Sequence, residues 1–149
     1  MIIARFNVKM WTQLLFIPMF FTIVASCQQN SVDTTSATPF FPQQREVPSV
    51  SMDALLVGKL ILVKDCLRMQ DSDNSNYLLI WPQGFSLNIE GESIQIKDNT
   101  GQFVVRVGDN VRVGGGEIPT EQIEHYVSQT LPNDCSGPYW IVASIAKIS

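Results

Sequence analysis

Between Lys59 and Val113 the apolar side chains recur in short bursts, most at every second position, and a turn cuts off each burst. That cadence restricts the chain to a small fold built mainly of antiparallel strands. Phe85, Leu87 and Ile89 alternate with Ser86 and Asn88, and after Glu90-Gly91-Glu92 the pattern resumes with Ile94 and Ile96 set between Ser93, Gln95 and Lys97. Asp98-Asn99-Thr100-Gly101 is a turn whose residues tolerate unusual backbone angles, and Phe103–Val107 and Val111–Val113 follow as strands on either side of Gly108-Asp109-Asn110. Upstream, Lys59 to Lys64 reads as a buried strand running on to Cys66 and Leu67, with Gly58 allowing a bend or bulge near its start. Asp71 to Asn76 is a polar hairpin loop, and Tyr77 to Trp81 is the next strand, stopped by Pro82-Gln83-Gly84. Gly114-Gly115-Gly116 reads as a flexible bulge or corner that breaks the chain.

One helix is expected, from Pro119 to Gln129, where Ile123, Tyr126 and Val127 fall at helical spacing and Glu121 and Glu124 sit in the early turns favoured by the helix dipole. Tyr139 to Ala146 is a closing strand. Short strands, glycine turns and a single late helix make the fold mainly β: a small OB-like β-barrel with one short helix before the last strand. A small β-sandwich is the alternative.

The first residues have a different texture. Arg5 and Lys9 precede an apolar run from Met10 to Ala25, and no acidic residue occurs before Asp33. A positive start followed by a short apolar core is the layout of a secretory signal, and the run is shorter than the roughly 20 residues a spanning helix needs. Val24-Ala25-Ser26-Cys27 resembles the lipobox of bacterial lipoproteins. The resemblance implies removal of residues 1–26, lipid on Cys27, and stable anchoring by two or three acyl chains. The anchor membrane would be the outer membrane of a Gram-negative cell or the outer face of a Gram-positive plasma membrane. Residues 27–50, rich in Ser, Thr, Gln and Pro, are expected to form a disordered tether spanning roughly 25–30 Å. Phe40 and Phe41 are the exception there, as rings that pack back on the domain or touch a partner. The globular domain is then 51–149.

Processing would leave 123 of the 149 residues, enough for one small domain. All 14 acidic residues but only 8 of the 10 basic ones lie beyond residue 26, a formal side-chain charge of −6. That balance argues against a nucleic-acid partner, since phosphates require a positive patch. Lys59, Lys64, Arg68, Arg106 and Arg112 are the candidates for a local basic patch, or simply solvated strand faces. With Cys27 given to lipid, Cys66 and Cys135 remain as an even pair in an exported chain, and a disulfide is the default. Such a bridge is worth roughly 4 kcal/mol in the loop-entropy description. A redox-active pair is the alternative, although close Cys-x-x-Cys spacing is missing.

Cys66, Trp81-Pro82-x-Gly84-Phe85, Val107 to Gly116 and Cys135-Ser136-Gly137-Pro138-Tyr139-Trp140 together resemble a family of small secreted or lipid-anchored bacterial domains of unknown function. The resemblance implies a shared barrel with a disulfide and brings no activity with it.

Candidate chemistry is sparse. His125 is the sole histidine, so neither a Ser-His-Asp set nor a multi-histidine metal site can be assembled. No catalytic residue, metal site or cofactor is assigned. Asp71-x-Asp73-x-Ser75 resembles the start of a calcium loop but has Asn76 and Pro82 where that loop needs glycine and glutamate. The glycine triplet could cradle an anion, yet has no Lys-Ser/Thr sequel. Among the aromatics Tyr77, Trp81, Phe85, Tyr139 and Trp140, the two tryptophans are candidate stacking platforms. The expected function is therefore a non-enzymatic, lipid-tethered barrel that binds another envelope protein. Carbohydrate or small-ligand binding through Trp81 or Trp140 is the alternative, and thiol-redox chemistry at Cys66 and Cys135 is third.

Overall fold

The alternating bursts become eight strands in two sheets. The computed structural model describes residues 38–45 and 52–148. Strands β1 (Ala54–Val63), β2 (Cys66–Asp71), β3 (Asn76–Ile80), β7 (Asn110–Ile118) and β8 (Tyr139–Lys147) close into a barrel in the order β1-β2-β3-β8-β7. Every pairing is antiparallel except β3 with β8, which run parallel through Leu78–Tyr139, Leu79–Trp140 and Ile80–Ile141. Closure removes free edges from these five strands. Strands β4 (Ser86–Glu90), β5 (Ser93–Lys97) and β6 (Phe103–Arg106) form a separate antiparallel sheet inserted between β3 and β7. A short helix α1 (Ile123–Tyr126) precedes the last strand. The fold is a mainly β, OB-like barrel, as the cadence implied.

Three elements differ from the sequence reading. The strand expected to run from Lys59 through Cys66 is a hairpin, turned by Lys64 and Asp65 at φ of 49° and 61°. Two successive left-handed residues match the twist of the flanking strands, but Lys-Asp lacks the Asn-Gly signature that announces such a turn. The glycine triplet holds the expected bulge, between Gly114 and Gly115, but does not break the chain: β7 runs through it. Gly115 has a φ of 152°, and a Cβ there would run into the carbonyl oxygen of Ile141. The expected 119–129 helix is only one turn of 3-10 helix (Thr120–Gln122) followed by α1. Val127 turns extended, bridging to Gln44, and that pairing ends the helix.

Two apolar clusters hold the molecule. One fills the barrel, with Leu56, Leu60, Met69, Leu79, Trp81, Val111, Val113, Trp140 and Val142, and takes in Ile96 and Val105 from the inserted sheet. The other lies outside the barrel against β3 and β8, where Leu78, Ile80, Tyr139 and Ile141 are covered by Ile123, Val127 and Cys135 of the β7–β8 connection. These strand segments are buried on both faces, which is why β3 and the start of β8 read as continuous apolar runs rather than alternating ones.

Residues 38–45, inside the stretch expected to be a tether, form a strap hydrogen-bonded to the barrel. Phe40 N–H donates to the Asp65 carbonyl (2.6 Å), Trp81 N–H to that of Pro42 (2.8 Å), Gln44 N–H to that of Trp81 (2.8 Å) and Arg45 N–H to that of Tyr126 (2.8 Å). Phe41 stacks on Trp81 with ring centroids 5.0 Å apart, so the packing alternative for the two phenylalanines holds. Composition concealed the strap because its hold on the barrel combines backbone hydrogen bonds with polar contacts of Gln43 and Gln44, residues that a tether carries equally well.

Candidate functional site

The parallel β3–β8 pairing stops at Ile80 and Ile141, and Gln44 spans the seam beyond it. Its buried side-chain amide donates to the carbonyls of Ile80 (3.0 Å) and Val142 (2.6 Å). One side chain thus satisfies acceptors on two separating strands, which buried backbone groups require.

Cys66 and Cys135 form the disulfide, with Cα atoms 5.6 Å apart and both residues buried. It ties the start of β2 to the 3-10 turn Asn133–Cys135 of the β7–β8 connection. Arg68 reinforces the same junction. Only 6% exposed, its guanidinium donates to the carbonyls of Asn76 (3.0 Å), Ser136 (2.7 Å) and Asp134 (3.4 Å). Desolvation by burial lowers its pKa. The Lys64–Asp134 ion pair beside it spans 3.1 Å between two largely exposed side chains and adds little.

The other candidate residues are placed as follows. Trp81 is fully buried and Trp140 is 6% exposed. This corrects the expectation that either is a stacking platform, since both rings sit in the barrel core with Phe41, Phe85 and Tyr77 against them. Asp71 Oδ1 accepts the N–H groups of Asp73 and Ser75, both at 2.9 Å, so this carboxylate closes the turn that resembles the start of a calcium loop. His125 is exposed on α1. Cys27 lies outside the described residues. The five cations of the supposed basic patch are dispersed: Arg68 is buried under the β7–β8 connection, Lys64 pairs with Asp134, and Arg106 lies over the Phe103 ring at 5.4 Å.

Lys59 and Arg112 are the two that share a surface. Residues paired in register point to the same face of a sheet, so the outward face of β1, β7 and β8 follows from the pairings. One row is Leu55, Gly114 and Ser144; the next is Val57, Arg112 and Ala146; Lys59 pairs with Asn110 below them. Leu55 is 60% exposed and Val57 49%. The solvated face of an antiparallel sheet is ordinarily polar, and these two aliphatic neighbours depart from that rule. Sequence reasoning missed this face, because Leu55, Leu56 and Val57 are consecutive aliphatics and nothing in their order says that only Leu56 points inward.

Beside the strap, the β7–β8 connection also carries an open groove of about 680 Å³. Its lining includes Arg45, Glu121, Glu124, Gln129, Leu131 and Tyr139. No helix among the described residues is long and apolar enough to cross a membrane. No family model, curated protein or solved structure matches the chain.

Proposed function

We propose that this chain is a lipid-anchored lipoprotein of the bacterial envelope whose barrel binds another envelope protein without catalysing a reaction. The observation that carries the binding reading is the pair of exposed aliphatic side chains, Leu55 and Val57, standing side by side on the outward face of a closed barrel. Apolar groups clustered on an otherwise solvated surface mark interaction sites. The lipobox at Val24 to Cys27 supports the anchor. The strap supports a short connection: Cys27 and Thr38 are 11 residues apart, no more than about 40 Å even when fully extended. A barrel so placed meets other proteins at the membrane surface, on the outer membrane of a Gram-negative cell or the outer face of a Gram-positive plasma membrane. The carbohydrate alternative has lost its platform with the burial of Trp81 and Trp140.

Cross-linking in cells tests the reading. The natural chain is expected to give a specific protein adduct. Cys27→Ala should deplete it by removing the anchor, and Leu55→Asp with Val57→Asp should reduce it at least tenfold while the protein stays folded at the membrane. An adduct indifferent to both changes, or none above background, contradicts it.

A further inference from the structure

We propose that the outward face of β1, β7 and β8 docks an acidic segment of the partner protein, with Leu55 and Val57 as apolar anchors and Lys59 and Arg112 as charge contacts. The proposal rests on the partner-binding reading above and adds the chemistry of the partner. Small groups line the Leu55 end of the face: Gly114 lies beside Leu55 with Ser144 beyond it, while Arg112 lies beside Val57 with Ala146 beyond. A partner segment can therefore lie close to the sheet beside Leu55 and meet the Arg112 guanidinium one row further on.

Charge gives the sign of that segment. Lys59 and Arg112 are exposed, and neither has a carboxylate partner among the described residues. The rows formed by Leu55, Val57 and Lys59 with their β7 and β8 partners contain no Asp or Glu. Yet the described residues hold 12 acidic and 8 basic side chains, so cations left unpaired on an apolar face run against the balance of the domain. Complementary potential selects a partner and its register, and here it selects carboxylates. A second copy of this chain, docked through the same face, would offer Lys59 and Arg112 no carboxylate from these rows. An anionic membrane surface is the weaker fit, since such recognition uses clusters of four to eight cations.

The test places a photoreactive amino acid at position 57 of the full-length chain in its native membrane, with a control at exposed Ser86 on β4. The cross-linked peptide is then sequenced. The expected result is an adduct at 57, absent at 86, to a net-negative segment of another protein. Lys59→Glu with Arg112→Glu should cut it at least tenfold, Arg112→Lys should preserve it, and reversing the acidic residues of the captured segment should restore it. Both cations are exposed, so an unchanged melting temperature serves as the folding control. Capture of a neutral or basic segment, of a second copy or of lipid overturns the proposal. A foreign-protein adduct that ignores charge reversal overturns it too, while leaving the partner-binding reading in place. If no foreign protein is captured at position 57 or at any other exposed site, both fall.

Discussion

Gln44 shows how a single side chain decides whether a segment belongs to the fold. Replacing it with Ala leaves the Ile80 and Val142 carbonyls without their donor at the barrel seam. A buried group stripped of its partner costs about 1–3 kcal/mol. Gln44→Ala is therefore expected to lower the denaturation midpoint by that equivalent, with little change in slope, in urea unfolding followed by circular dichroism. Asp109 makes a second residue-scale case. Burial works against its charged form, but the hydrogen bond from Lys147 (2.7 Å), the N–H of Arg106 (3.0 Å) and the charges of both residues hold its carboxyl below the usual value. A depressed carboxyl stabilises the fold above its unfolded pKa, and that contribution is lost as pH falls through the folded value. Stability should therefore fall as pH drops below about 4, where an unperturbed aspartate titrates. Asp109→Asn should flatten that limb in melting curves taken between neutral and acid pH; an unchanged acid limb would contradict the assignment.

At the scale of elements, what could be read from the sequence depended on whether a segment is buried on one face or two. β4 and β5 each carry one apolar row, and their alternation placed both strands and the turn between them. The hairpin at Lys64-Asp65 was missed because its residues carry no turn signature and the apolar run continues across it. The one-turn helix was overdrawn because 3.6-residue spacing cannot report that Val127 is claimed by Gln44. The disulfide was accessible once Cys27 was set aside for lipid and two cysteines of an exported chain remained, whereas the buried Arg68 beside it was not, since nothing in its sequence neighbourhood distinguishes it from a surface cation. Converting Cys66 and Cys135 to Ser is expected to cost roughly 4 kcal/mol, with real values often lower, by loosening the unfolded chain. The same change should free the β7–β8 connection first, read as faster amide exchange there than in β1 and β2. Uniform exchange throughout would mean that the bridge does not act locally.

Across the whole molecule, the candidate surface was the least legible feature. Trp81 and Trp140 attracted attention as large aromatic side chains, but their size is what fills the barrel interior. Leu55 and Val57 attracted none, because an exposed aliphatic stands out only once strand register shows which face it occupies. The proposed anchor and the barrel depend on separate parts of the chain, so each can be altered alone. Leu55→Asp with Val57→Asp should leave membrane attachment unchanged, and Cys27→Ala should leave the barrel's melting temperature unchanged. In the proposed function the two work together as a lipid-anchored binding module. The decisive measurement is the intact mass of protein extracted from membranes, taken with and without denaturing reduction and alkylation. The expected mass is that of the chain from Cys27 onward plus acyl chains, with two thiols alkylated only after reduction. A mass without acyl chains, or Cys66 and Cys135 alkylated without reduction, would contradict it.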